Sequence, residues 1–441
     1  QDMTSGSPGR LIILFAIPLM LGNICQQLYT MVDTMVVGQI AGVEALAALG
    51  AVDFLMWVVT GISTGLTQGF SIQLSQYYGA KDFENLRKSL AHSYQLTAFI
   101  AVGVFILSQF FAALVLTGLH TPSNIIGMSL LYLRIIFCGI PATAAYNMFA
   151  AALRAMGNSK TPLTAMIIAS VLNVSLDILF VAGFRWGVAG AAIATVIAQS
   201  FSAVYCFLIL RRIDIVHLSR ADFMPASGMN ARLMKLGIPV VFQNIIIGVG
   251  GLVVQYVING YGFLFVAGFT ATNKLYGLLE MAAISYGYAI VTYVGQNLGA
   301  GKIDRIRKGV RSSMLLSLLT SLLISAAMFL FGKNILSLFI SGEPQQTQEV
   351  LAIAFKYLSI MAAMLWVLYL LYVYRSALQG LGDTLMPMVS GVAEFVMRIS
   401  AALILPRFIG QDGIFFAEIA AWSGATVILC ISYYVRMHKY H

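Results

Sequence analysis

The sequence has few charged residues for its length. Only 10% of its 441 residues are Asp, Glu, Lys or Arg, whereas soluble domains carry roughly 25%. Hydrophobic residues make up 59% of the chain, so a water-exposed surface of this size could not be covered by polar groups. This composition excludes an ordinary soluble protein and predicts that most apolar side chains face lipid.

Cysteine is also scarce, and its four copies lie singly in apolar runs without any Cys-x-x-Cys pair. That spacing indicates neither a thiolate metal site nor a disulfide framework. The net charge of +9 raises the question of nucleic-acid binding. However, the basic residues lie in short loops between apolar runs and form no continuous patch, which argues against a nucleic-acid partner.

Long apolar runs dominate what is present. A bilayer-spanning helix needs roughly 20 consecutive apolar residues, and twelve runs meet that requirement. The sequence therefore predicts an all-α polytopic membrane protein with twelve transmembrane helices. The runs cover residues 10–38, 45–78, 84–117, 121–156, 161–184, 187–211, 229–260, 263–298, 303–331, 346–381, 384–408 and 411–437.

Lysine and arginine set the expected orientation, because cytoplasmic loops carry an excess of both. With the N-terminus inside, 19 of the 26 basic residues fall on the inner side and 3 on the outer side. The remaining four lie within the spans. We therefore expect both termini in the cytoplasm, and a protein of the cell membrane, most simply a bacterial one.

The chain repeats itself at about half its length. A Gln-x-x-Gly-Ala motif followed by Arg-Lys begins at Gln76 and again at Gln296, and an Ala-Leu-x-x-x-Gly motif followed by proline begins at Ala152 and at Ala377. The offsets are 220 and 225 residues. Further matches at 221 and 223 residues join Pro18 to Pro239, Asn23 to Asn244, Gly190 to Gly413 and Ala194 to Ala417.

Each half contains six spans, an even number, so both halves enter the membrane from the same side. The repeat is therefore parallel, with its axis along the membrane normal. We predict two six-helix lobes, residues 1–220 and 221–441, around a central cavity and joined by the polar segment 212–228. Two like halves are typical of transporters that work by alternating access.

Ionisable residues inside spans are costly and indicate function by default. Asp33 lies in an apolar run without a neutralising residue within one turn, and Asn173 and Asp177 share a helix face at i, i+4. Converging carboxylates, an amide and hydroxyls suit a hard cation such as Na⁺. They also suit a proton, because it removes one of two negative charges held close together. The alternative is a buried polar cluster that only ties helices together.

The repeat gives these residues no acidic or amide counterparts. Asp33 corresponds to Val254 in the second half, and Asn173 and Asp177 correspond to Arg398 and Ala402. Ion chemistry is therefore predicted in the first half only.

The second half has acids of its own. Glu394 and Arg398 have the i, i+4 spacing of an ion pair, which we favour over substrate binding. Glu280 has no evident local partner and is a candidate for binding a cationic substrate. For Asp53, a position at the edge of a solvated cavity is as good an explanation as a functional role. Pro18 kinks the first helix, either statically or as a hinge that lets the Asp33 helix bend.

Taken together, these residues resemble the multidrug and toxic-compound extrusion (MATE) transporters, DinF-like subgroup. The resemblance covers nearly the whole chain. It rests on Ile17-Pro18 with Asp33, on Gln76-Tyr77-Tyr78-Gly79-Ala80, on Ala152 to Asn158, on Asn173-x-x-x-Asp177 and on the parallel twelve-span repeat.

The resemblance implies an antiporter that exports organic cations in exchange for H⁺ or Na⁺, with no cofactor beyond that ion. It implies an ion site on the first, fifth and sixth spans and a first helix that bends at Pro18. The matching ion-site positions are Tyr29, Asp33, Asn173, Asp177 and Thr195. Tyr132 and Asn147 match residues lining the lobe, and Glu280 and Glu394 fall in helices whose acids matter in other subgroups.

Two other functions compete with transport. Two motifs suggest a membrane enzyme, but neither is placed like a catalytic site. His217 and Asp222 lie in the polar linker, and the Gly-x-Gly-Asp motif at Gly380 is the repeat partner of a helix end. A flippase for lipid-linked sugars shares the wider architecture, but intramembrane acids attract cations and repel a phosphate-bearing cargo. We expect a monomer in the bilayer, with substrate identity and the choice of ion left open.

Overall fold

A computed structural model describes residues 1–340 and 342–441, with no side-chain description for Val43. Throughout these residues the secondary structure is helical and without strands, which confirms the predicted fold class. Short π-helical segments follow α1 and α6, at Val37–Ala41 and Ile178–Gly183. The α-helices are α1 Pro8–Val36, α2 Val43–Gly79, α3 Phe83–Gly118, α4 Ile126–Cys138, α5 Ile140–Ala155, α6 Lys160–Asp177, α7 Val188–Arg211, α8 Met229–Asn259, α9 Phe263–Leu279, α10 Met281–Gly299, α11 Ile303–Ser337, α12 Pro344–Ala363, α13 Leu365–Gly380, α14 Leu385–Ile409 and α15 Ala417–His438.

Ten spans in the described chain are long and apolar enough to cross a membrane, and the number is twelve when two bent pairs are each counted as one. The pairs are α4 with α5, bent by 45°, and α12 with α13, bent by 49°. Both occupy runs that the sequence presents as continuous. The first bend follows from Pro141 in the opening turn of α5, since proline lacks the N–H and its ring displaces the preceding carbonyl. Nothing in the structure explains the second bend, at Met364.

The chain forms two compact units. The first contains residues 1–2 and 17–241, and the second contains residues 3–16 and 242–441. The start of α1 therefore belongs to the second unit and the start of α8 to the first. In each helix the crossover lies within three residues of a proline, Pro18 in α1 and Pro239 in α8. The lobe boundary at residues 220 and 221 stays a sequence-based prediction.

Within the first unit, α2 approaches the start of α8 very closely. A Cβ atom on Gly69 would lie 2.4 Å from the Cα of Gly237, and one on Gly65 would lie 2.9 Å from the Cα of Val241. Gly65 and Gly69 form a Gly-x-x-x-Gly motif, the pattern that lets membrane helices pack backbone to backbone. The contact explains why the first turns of α8 belong to this unit.

Replacing Gly69 with Ala is expected to destabilise the first unit, because the added methyl would meet backbone that cannot move aside. Overpacking of this kind costs about 1–3 kcal/mol. The measurement is the thermal midpoint of the purified protein in detergent, followed by loss of the monodisperse peak. Gly61→Ala in the same helix is the matched control, since nothing lies within 4 Å of its Cβ position. Equal midpoints for the two variants would contradict the proposed close packing.

Candidate functional site

Asp33 near the end of α1 and Asp177 at the end of α6 lie close enough for their carboxyl groups to interact electrostatically. Asp33 is 8% exposed and Asp177 is completely buried. Within the described part of the chain, neither carboxyl forms an ion pair with a basic residue. The structure thus brings together two acids that are far apart in sequence and leaves their charge uncompensated by any described cation.

Both acids lie where an α-helix widens into π-helical turns. Asp33 comes one turn before the segment Val37–Ala41, and Asp177 comes directly before Ile178–Gly183. The two π-helical segments contact each other. Such turns recur at functional sites because the wider backbone re-aims side chains, and here they occur on both helices that carry an acid.

An amide and a hydroxyl complete the polar cluster. Asn173, 1% exposed, lies one turn before Asp177, and its Nδ2 points toward Thr195 Oγ1 on α7 at 3.5 Å. On the same helix, Gln199 Nε2 points toward the hydroxyl of Tyr29 on α1, also at 3.5 Å. Sequence reasoning did not identify Gln199, although its position one turn after Thr195 on α7 was a usable signal.

Four buried oxygens of this cluster have no hydrogen-bond donor in the part of the chain that is described. They are Asp33 Oδ1, Asn173 Oδ1 and both carboxyl oxygens of Asp177. Buried polar atoms are nearly always satisfied. A site rich in orphaned acceptors is therefore suited to a bound proton or an oxygen-coordinated cation.

Clusters of His, Cys, Asp and Glu supply the side chains that most often bind metal ions. Among the residues searched, no group of three or more His, Cys, Asp and Glu is placed to hold a metal ion. A Na⁺ ion at Asp33, Asn173 and Asp177 would use the amide oxygen beside two carboxylates, a donor set that suits a hard cation.

Two residues of the first unit, Tyr132 and Asn147, are the predicted lobe-lining candidates. Tyr132 is buried and within electrostatic range of Asp33 and Asp177. Asn147 lies apart from the acids and donates from Nδ2 to Ser63 Oγ at 3.2 Å. Asp53 is exposed. Roles for Tyr132 and Asn147 in binding substrate stay predictions.

In the second unit the buried charges are paired. Arg375 Nη2 donates to Glu394 Oε2 at 2.9 Å, and Arg398 donates to both carboxyl oxygens of Glu418 at 3.1 and 2.9 Å. Arg398 also lies 3.8 Å from Glu394. The i, i+4 pair is thus present but is the longest of the three contacts. This geometry favours the ion-pair interpretation of Glu394, because its carboxylate already faces two arginines.

Glu280 has a local partner that the sequence reading missed. The hydroxyl of Tyr276, one turn earlier, donates to Glu280 Oε2 at 2.5 Å. The expectation that Glu280 has no local partner is therefore wrong. The reason is that α9 ends at Leu279, and Tyr276 in its last turn faces the same side as Glu280. Whether Glu280 also binds a cationic substrate stays a prediction.

The repeat aligns the two buried polar clusters. Asn173 corresponds to Arg398, and Thr195, one residue after the matched Ala194, corresponds to Glu418. The long amide-to-hydroxyl contact of the first unit is therefore replaced by a bidentate ion pair in the second. Equivalent helix positions thus hold an amide with an orphaned oxygen in one unit and an arginine paired with a glutamate in the other.

Comparisons with known proteins agree with this architecture. The MatE family profile matches residues 18–179 and 239–404, two segments that begin at the paired prolines. The chain is 30% identical to the "Probable multidrug resistance protein YpnP" of Bacillus subtilis, over 94% of this chain and 92% of the relative. It is 25% identical to the "Probable multidrug resistance protein NorM" of Thermotoga maritima, over 94% and 88%.

Solved structures share the fold at low sequence identity. One described as "Crystal structure of MATE in complex with MaL6" has a TM-score of 0.94 at 21% identity and covers 100% of this chain and 98% of that one. Another, a MOP superfamily transporter from Pyrococcus furiosus whose binding pocket is described as having reverse polarity, has a TM-score of 0.93 at 20% identity with the same coverage.

Proposed function

The chain belongs to the MatE family of membrane transporters, and on that premise we propose that it is a secondary active antiporter that exports organic cations in exchange for H⁺ or Na⁺. It is a transporter and not an enzyme. The observation that carries the proposal is the set of four orphaned oxygens at Asp33, Asn173 and Asp177. A bound coupling ion would satisfy these acceptors.

Exchange follows from the charge of this cluster. Without a coupling ion the two acids carry an uncompensated negative charge, which attracts a cationic substrate into the first lobe. A proton or Na⁺ entering the cluster removes part of that charge and lowers the affinity for the substrate. Because linkage is reciprocal, the substrate in turn weakens binding of the ion, and the two alternate.

The first helix is the element through which we propose that the ion acts. Asp33 and Tyr29 lie on α1, and Pro18 lies in the same helix next to the point where it passes from one unit to the other. A shared ion would hold Asp33 beside Asp177, and loss of that ion would release the end of α1 from α6. A hinge at Pro18 would convert that local change into a bend of the helix.

The relatives named as multidrug resistance proteins support a broad range of organic substrates. The two acids of the first unit support the proposal that these substrates carry a positive charge. We place the protein in the bacterial cell membrane as a monomer, with both termini cytoplasmic as the distribution of Lys and Arg predicts. The DinF-like subgroup stays part of the proposal.

Reconstitution in liposomes tests the proposal directly. A proton gradient and a sodium gradient are imposed separately, and uptake of a panel of cationic dyes is followed beside anionic dyes of similar size. We expect one gradient to drive concentrative uptake of cationic dyes only. Equal uptake without any gradient would contradict antiport. Preference for anionic dyes or for a lipid-linked sugar phosphate would overturn the cationic cargo in favour of a flippase.

A further inference from the structure

A basic cavity in the second unit lies outside the ion cluster. Its volume is about 270 Å³, and it is lined by Arg307, Arg311 and Met314 of α11 and by Tyr433, Tyr434 and His438 of α15. A water molecule occupies roughly 30 Å³, so the cavity can hold a phosphate group with several neighbouring atoms. It lies at the end of the lobe that the charge distribution assigns to the cytoplasm.

The two arginines in this cavity retain unused donors. Arg307 Nη1 donates to the exposed Asp304 at 3.1 Å, while its Nη2 is buried without an acceptor in the described structure. Arg311, one turn further along α11, is exposed and makes no hydrogen bond or ion pair with any described residue. Two guanidinium groups one turn apart can together take up a phosphate oxyanion.

The phenols opposite are held in place by packing. Tyr374 of α13 lies 3.2 Å from Tyr434, oxygen to oxygen, and the rings of Tyr433 and Tyr434 meet edge to face with centroids 5.1 Å apart. Tyrosine at a membrane interface places its ring in the apolar layer and its hydroxyl near headgroups. The cavity therefore combines two cations with hydroxyl groups at one level of the helices.

Apolar side chains continue from the cavity toward the middle of the spans. Leu315 and Leu319 follow Arg311 by one and two turns on α11, and Ile431 precedes Tyr434 on α15. All three are well exposed. A charged pocket at headgroup level beside an apolar strip fits a molecule with an anionic head and acyl chains better than a free anion.

In the first unit, the arginine that corresponds to Arg307 binds the backbone of the chain itself. Arg87 is the repeat counterpart of Arg307, and its Nη1 donates to the carbonyl of Ile215 at 3.3 Å. In that unit α7 ends at Arg211, and the following segment turns back onto α3, with Gln95 donating to the carbonyl of Phe223. In the second unit α15 extends to His438, and Arg307 Nη2 has no acceptor among the described residues.

We propose that this cavity binds the phosphate group of an anionic phospholipid, with Arg307 and Arg311 as the phosphate ligands and the acyl chains against Leu315, Leu319 and Ile431. Basic pockets between helices on the cytoplasmic side are suited to acidic headgroups. The site is separate from the ion cluster, which lies in the other unit. It would make the stability of the second lobe depend on the lipid composition of the inner leaflet.

The test measures binding of defined lipids to the delipidated full chain in detergent. Thermal midpoints are recorded while phosphatidylglycerol, phosphatidylcholine, glycerol 1-phosphate or inorganic phosphate is added. We expect saturable stabilisation by phosphatidylglycerol alone. In the Arg307→Gln/Arg311→Gln variant the half-saturating concentration should rise roughly 25-fold, since each of the two basic residues near an anionic headgroup contributes roughly a fivefold effect.

Lys308→Gln is the matched control, because Lys308 is exposed beside Arg307 but does not line the cavity. The Arg307→Lys/Arg311→Lys variant should keep most of the preference for phosphatidylglycerol. If the double glutamine variant is not monodisperse, Arg311→Gln alone carries the test, since Arg311 has no partner to lose. Equal stabilisation by phosphatidylcholine, full protection by inorganic phosphate, or an equal loss in Lys308→Gln would each overturn the proposal.

Discussion

Replacing Asp177 with Asn is expected to abolish gradient-driven efflux while leaving a folded, membrane-inserted protein. The amide has nearly the shape of the carboxyl group but can neither take up a proton nor supply the charge that holds Na⁺. Coupling between two sites typically corresponds to about 1–3 kcal/mol, or roughly 5- to 150-fold. We expect that advantage to disappear, so that dye movement with a gradient equals dye movement without one.

The measurement uses proteoliposomes of equal protein content, with the imposed gradient that drives the unchanged protein. Asp33→Asn should give the same loss, because the two carboxyl groups act on each other. Asp53→Asn is the matched control, since it makes the same chemical change at an exposed acid of the same unit. Asp177→Asn transport that still responds fully to the gradient would refute the coupling role.

Dye binding separates coupling from substrate recognition. If the acids serve the ion, Asp177→Asn should bind cationic dye with the lower affinity of the ion-occupied state, and adding H⁺ or Na⁺ should lower that affinity no further. Fluorescence polarisation in detergent across ion concentrations measures both quantities. Complete loss of dye binding with normal folding would instead make the acids the substrate site itself.

The number and positions of the membrane-spanning helices could be predicted well from the sequence. Twelve apolar runs correspond to ten spans and two bent pairs, because burial in lipid requires long apolar helices and little else in the sequence competes with that signal. The bends within two runs were not foreseen. One depends on Pro141, whose effect is local and readable, but the bend at Met364 has no residue type that marks it.

The candidate site was only partly readable. The i, i+4 spacing places Asn173 and Asp177 on one face, which periodicity alone predicts. No spacing rule brings Asp33 beside Asp177, because they lie on helices that are distant in sequence and meet only through packing. That juxtaposition could be anticipated only through the family resemblance, and the adjoining π-helical turns have no sequence signature here.

The paired charges of the second unit show the same limit. The reading from sequence found the i, i+4 partners Glu394 and Arg398 but not Arg375 or Glu418, which come from other helices and lie closer. Across-helix partners outcompete local ones because their side chains approach head-on and align for bidentate contact. The paired charges agree with the expectation that ion chemistry is confined to the first half, which stays a prediction.

That pairing predicts the largest effect on stability. Arg398→Met is expected to cost about 3–5 kcal/mol, because it leaves Glu418 as a largely buried carboxylate without its cation. The Arg398 and Glu418 side chains are 5% and 17% exposed, so solvent offers little compensation. The measurement is the midpoint of thermal unfolding in detergent, together with the denaturant concentration needed to unfold the protein.

A double substitution distinguishes loss of a pair from loss of packing. Arg398→Met/Glu418→Gln removes the orphaned charge as well, so it should recover a large part of the stability that Arg398→Met loses. The energies of coupled residues are not additive, and the difference from the sum of the single effects measures the pair. Arg407→Met, at the exposed end of the same helix, should change little. If the double variant were no more stable than Arg398→Met, the unpaired Glu418 carboxylate would not be the cause of the lost stability. The loss would then come from the missing packing of the Arg398 side chain.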